Sequence, residues 1–103
     1  MVESMARDDS TFVAHVSLQE EQAQNVQEFM SVFGAIQNDL EDIGCELQDT
    51  YALLGQHDFL FVFDAPSEAE ALQASVAMER RGLDVETSTA FRPDEMSKLV
   101  DEV

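Results

Sequence analysis

The run Phe59-Leu60-Phe61-Val62-Phe63 constrains this chain more than any other stretch. Successive side chains of a strand point to opposite faces, so a strand with one wet face has to alternate apolar with polar. Five apolar residues in a row do not alternate. The run therefore reads as a strand covered on both sides. A strand-like segment and a tight turn at Gly55 to Asp58 precede it, and Pro66 breaks the chain after it. A chain of 103 residues makes one domain and buries roughly two thirds of its surface. One small domain has to supply two covers for one sheet.

Charge narrows the classes of partner. The chain carries 22 Asp and Glu against 5 Lys and Arg, a net of -17. Such a surface repels nucleic-acid phosphates and anionic membranes, and neither is expected as a partner. The carboxylates are spread along the whole chain rather than gathered in a tail, and Lys98 is the only lysine. That distribution points to solvent adaptation of the halophile kind more than to a patch for one cationic partner. No apolar run approaches the roughly 20 residues of a membrane span, and Met1 to Ser10 lacks a signal-peptide core, so a cytoplasmic protein is expected. Cys45 is the only cysteine; it forms no intramolecular disulfide and reads as a buried, inert thiol.

In chain order, residues 1–10 read as a polar, flexible tail and residues 11–103 as the domain. Thr11 to Leu18 alternates as a strand, with Phe12, Ala14, Val16 and Leu18 on one face and Val13, His15 and Ser17 on the other. Gln19 to Gln27 is a polar connection or the first turns of a helix. Phe29, Val32, Phe33, Ile36, Leu40 and Ile43 recur at three and four, an amphipathic helix ended by Gly44. Cys45 to Leu54 and Phe59 to Asp64 make two strands joined by the turn. Pro66 and Ser67 open a second helix, Glu68 and Glu70 lie in its first turn, and Arg80 and Arg81 lie near its end. Its expected buried stripe is Ala69, Leu72, Val76 and Ala77. Leu83 to Phe91 is a fourth strand. Pro93 starts a short last helix with Met96, Leu99, Val100 and Val103.

The order β-α-β-β-α-β plus a terminal helix predicts an α+β, ferredoxin-like domain with a four-stranded antiparallel sheet. Its two helices cover one face. The other would expose more apolar surface than a monomer tolerates, so a homodimer through the sheet face bearing Phe61 or its neighbours is expected.

Tyr51, Leu54-Gly55-Gln56-His57-Asp58-Phe59, Ala65-Pro66, Gly82 and Thr87-Ser88-Thr89-Ala90-Phe91 resemble the GYD domain family, from about Phe12 to the C-terminus. That family is named for a Gly-x-Tyr-Asp type turn. Gly55 and Asp58 match it, while His57 stands where the family has tyrosine, which puts any role of that hydroxyl in doubt. The resemblance implies a dimeric α/β barrel. It implies no one activity, because relatives of that architecture include cofactor-free monooxygenases, isomerases and ligand-sensing domains.

Candidate chemistry is sparse. His57-Asp58 suggests a general base, but strand neighbours diverge, and an aspartate beside a turn bonds local backbone more often than it catalyses. His15 becomes a pocket residue if its face looks into a dimer cleft; otherwise it is a hydrogen-bonded interface histidine. Tyr51 and Arg92 offer a hydroxyl and a cation, with a surface ion pair the plainer reading of Arg92. The ligand-binding set is therefore His15, Tyr51, His57, Asp58 and Arg92, with no catalytic residue, metal ligand or cofactor assigned. Two histidines and one cysteine so spaced make no metal signature, and phosphate loops and nucleophile elbows are absent. These features favour a non-catalytic dimeric binding or regulatory module with a small-ligand pocket between sheet and partner. The alternative is a small cofactor-free enzyme of the monooxygenase or isomerase type.

Overall fold

A computed structural model describes residues 10–18 and 26–101. The flexible-tail expectation for residues 1–9 and most of the Gln19 to Gln27 connection lie outside them. Strand β1 is Ser10–Leu18, helix α1 Val26–Ile43, β2 Glu46–Ala52, β3 Phe59–Ala65, helix α2 Glu68–Arg80, β4 Leu83–Ala90 and helix α3 Pro93–Asp101. The strands form one antiparallel sheet in the order β2-β3-β1-β4. This is the ferredoxin-like arrangement, with β1 and β3, which carries the apolar run Phe59 to Phe63, in the centre. β1 begins at Ser10, one residue before the expected start, because Ser10 pairs with Ala65.

Register sorts the sheet into two faces. One carries Phe12, Ala14 and Val16 of β1 and Phe61, Phe63 and Ala65 of β3, all buried. Helices α1 and α2 lie over it, and Ile36, Leu40, Ala71, Ala74 and Met78 complete the core. Gly44 ends α1 at a φ of 104°, where a Cβ would be strained. Ser67 caps α2: its hydroxyl accepts from the Ala69 N–H and donates to the Glu70 carboxylate. Across the bundle, Arg81 grips Asp39 of α1 through two N–H···O bonds of 2.8 and 3.1 Å. That fork holds the Asp39 carboxyl below its usual value of 3.8 and raises Arg81. Cys45 is buried as expected, its Sγ donating to the Glu70 carbonyl at 3.7 Å.

Two packing expectations are corrected. Phe61 does not stand on the uncovered face. It lies fully buried beneath α1, its ring edge-on to Phe33 with centroids 5.7 Å apart, because it pairs with Ala14 in the helix-covered register. The apolar residues of β3 on the uncovered face are Leu60 and Val62. The buried stripe of α2 is Ala71, Ala74 and Met78 rather than Ala69, Leu72, Val76 and Ala77. Leu72 is 65% exposed and Val76 39%. Small residues let α2 press close to the sheet, and the Ser75 hydroxyl bonds Thr87 of β4 at 2.6 Å, which fixes the helix's rotation.

Candidate functional site

The sheet face opposite the two core helices is where His15 and Tyr51 fall, with His57 reaching over it from the β2–β3 loop. β1 contributes Thr11, Val13, His15 and Ser17, β3 contributes Leu60, Val62 and Asp64, and β4 contributes Asp84, Glu86 and Ser88. Tyr51, Leu60, His15 and Glu86 form one row across all four strands. Val13, Leu60 and Val62 make a half-buried apolar strip along the two central strands. Carboxylates of Asp49, Asp64, Asp84 and Glu86 surround it.

The two histidines meet although 42 positions separate them. His57 leaves the β2–β3 loop toward β1, and its ring centroid lies 5.1 Å from that of His15, tilted by 50°. Its Nδ1 is 3.0 Å from the Ser17 hydroxyl. Its Nε2 is 3.6 Å from Oε1 of Glu86, close enough for charge attraction but too long for a hydrogen bond. Together with Asp84 and Val85 these residues line a shallow cleft of about 160 Å³. Among the described residues, no group of three or more His, Cys, Asp or Glu could hold a metal ion.

Asp58 serves the scaffold, though not through the turn's own backbone as expected. Its Oδ2 accepts from the Leu18 N–H at 2.8 Å, its own N–H donates to the Val16 carbonyl at 2.9 Å, and its carbonyl accepts from the Leu53 N–H at 2.8 Å. The loop is thereby pinned to the end of β1, a strand 40 residues away in sequence. This contact also carries His57 over the sheet. His57 and Asp58 bond adjacent residues at the end of β1, Ser17 and Leu18 respectively.

Arg92 does not join the histidines. It lies past the far end of β4, beside Thr11 and Asp64, two residues beyond Ala90, which pairs with Thr11 at the opposite end of β1 from Ser17. There it lines a second cleft of about 430 Å³ with Gln48, Asp49, Phe91 and Glu95. Thr11 and Gln48 both donate to Asp64, at 2.8 and 2.9 Å, and the Arg92 N–H donates to Glu95 at 2.9 Å. Tyr51 stands two strands from His15 with Leu60 between them, half exposed on the β2 edge. Of the five candidates, the structure brings His15 and His57 together, employs Asp58 in the fold, and leaves Tyr51 and Arg92 apart.

Sequence reasoning missed Ser17 and Glu86. Alternation already placed Ser17 beside His15. Glu86 needed the β1–β4 register, which pairs it with His15 and which no local pattern in the chain specifies.

The fold and the site define a ferredoxin-like α+β domain with helices on one sheet face and a histidine-bearing, acidic, partly apolar second face. Residues 12–100 match the GYD domain, and the chain belongs to that family. No curated protein matches it. Among solved structures, the crystal structure of MtbAldR superposes with a TM-score of 0.64 over 82% of this chain, at 14% identity. The chain spans 54% of that structure's length, and the likeness is one of fold.

Proposed function

We propose that this GYD domain is a homodimeric binding or regulatory module that holds a small ligand between its uncovered sheet face and a second copy of the chain. One observation carries the reading: Val13, Leu60 and Val62 form a half-buried apolar strip on the sheet face opposite the helix-covered core. An apolar strip left half-buried on two central strands calls for a further cover. Phe91, Met96 and Val100, at and within α3, are also more than half exposed and would add apolar surface to such an assembly. The ligand the face suits is small and partly apolar, with a polar group reaching His15 or His57. The test is light scattering of the wild type and of Val62→Asp in molar potassium chloride, followed by a thermal-shift screen of small apolar and carboxylate-bearing compounds. The reading requires a dimeric wild type and a monomeric variant. A monomeric wild type across micromolar concentrations refutes it.

One observation favours a second reading, a small cofactor-free enzyme. His57 bonds a hydroxyl on one side and approaches a carboxylate on the other, which orients an imidazole as a proton acceptor. Loss of turnover in His57→Ala, with its fold intact and a substrate in hand, would replace the first reading by this one.

A further inference from the structure

We propose that the cleft at the Thr11 end of the sheet binds a small zwitterion, a molecule carrying a carboxylate and an ammonium group on an apolar body. Arg92 is the starting point. The chain has 22 Asp and Glu against 5 Lys and Arg, so a surface arginine has no shortage of partners. Yet among the described residues the Arg92 guanidinium makes no ion pair or hydrogen bond, and only its backbone N–H is engaged, donating to Glu95 at 2.9 Å. The neighbouring bonds account for this. Glu95 is drawn back onto the start of α3 by that backbone donor. Asp64 is held by Thr11 at 2.8 Å and by Gln48 at 2.9 Å, one on each carboxylate oxygen. Both carboxylates are committed elsewhere, and Arg92 lines a cleft of about 430 Å³, within the size range of small-molecule sites.

The charges select the ligand. Against its one cation the cleft sets Asp49, Asp64 and Glu95. A simple carboxylate gains a forked bond from Arg92 but meets three like charges. A simple amine gains the carboxylates but meets the guanidinium. A zwitterion satisfies both, with its carboxylate on Arg92 and its ammonium group toward Asp64. Asp64 is half-buried and already fixed in place, and each of its oxygens keeps a lone pair after accepting one bond. Val62 and Phe91 give the cleft an apolar wall, and Phe91 is an exposed ring for an apolar body to cover. One chain supplies the whole cleft, at the opposite end of β1 from Ser17. The inference therefore goes beyond the dimer reading and does not need it: a monomer that binds the zwitterion upholds it.

The test titrates the full chain with three probes that share a phenyl body: phenylalanine, phenethylamine and 3-phenylpropanoate. Binding is followed by nitrogen–proton NMR in one potassium chloride buffer near neutral pH. Phenylalanine should bind about tenfold or more tightly than either singly charged probe, the scale of one charged hydrogen bond. It should shift the signals of Phe91, Arg92 and the Gln48 side-chain amide. Arg92→Gln should weaken phenylalanine by about tenfold or more and leave phenethylamine no weaker. Asp64→Asn should weaken phenylalanine and leave 3-phenylpropanoate no weaker. Asp64 also holds Thr11 and Gln48, so melting curves check that each variant folds, and the wild-type order of the three probes decides the matter if one does not. His15→Ala should bind phenylalanine as the wild type does. The site is overturned if millimolar phenylalanine shifts nothing, if it binds no better than either analogue, or if its binding survives unchanged in a folded Arg92→Gln. Binding lost in His15→Ala but kept in Arg92→Gln also overturns it, and would place the ligand at the histidines of the dimer reading instead.

Discussion

Asp58→Ala is the sharpest probe of how the β2–β3 loop is built. In the wild type the Leu18 N–H donates to the Asp58 carboxylate at 2.8 Å. Truncation leaves that N–H without a protein partner in a half-buried place, and an orphaned donor costs about 1–3 kcal/mol. Water reaches part of the site, so about 1.5 kcal/mol is the expected loss. For a domain near 100 residues this lowers Tm by roughly 6–12 °C. Charge acts in the opposite sense, since removing one carboxylate from a chain of net -17 relieves repulsion. Asp58→Asn separates the two effects. It removes the same charge but keeps an oxygen that accepts from Leu18, so it should melt close to the wild type. His57→Ala loses the part-buried bond with Ser17 and the ring contact with His15, together worth about 0.5–1 kcal/mol and so less than the Asp58 loss. Thermal unfolding of the three variants in one high-salt buffer measures the order. If Asp58→Ala melts within about 2 °C of the wild type, or if His57→Ala is the more damaging, the loop is not held as described.

Two further outcomes follow from charge. Tm should climb from low to molar potassium chloride, because salt screens the self-repulsion of a net -17; a flat or falling curve would contradict this. The Arg81–Asp39 fork stabilises the fold with a definite pH sense: Asp39 is depressed in the folded state, so its contribution is present above its usual value of 3.8 and fades as pH falls through the lower folded value. Asp39→Asn should therefore melt slightly below the wild type near neutral pH and match it at the most acidic pH where both remain folded. A difference that persists there would mean the pair acts through packing instead.

The strand order and the central place of β3 were legible because they follow from alternation and from one uninterrupted apolar run. The face assignments were not. Phe61 and Leu60 are equally apolar, and only the pairing of Phe61 with Ala14 decides which of them meets the helices. Helix α2 misled for a related reason. Leu72 and Val76 are the larger hydrophobes, so they read as its buried stripe, yet Ala71, Ala74 and Met78 have the same spacing and permit closer approach to the sheet. The site was half legible. His15 could be put on the uncovered face from β1 alone, but its meeting with His57 depends on the loop being pinned by Asp58 to Leu18, a contact between segments far apart in the chain. No local pattern encodes it.

The uncovered face joins two opposing demands. Its apolar strip favours a cover, while Asp49, Asp64, Asp84 and Glu86 oppose one made of an identical face. Packed sheets lie about 10 Å apart, close to the screening length in 0.1 M salt, so like charges on two apposed faces would still repel at that ionic strength. In molar salt the screening length falls to about 3 Å, and the apolar strip is left to decide. On the dimer reading, the salt that relieves strain within each chain is therefore the same salt that lets two copies meet. Folding and assembly would then be coupled through one surface, and the acidity of that surface sets the conditions under which each can proceed.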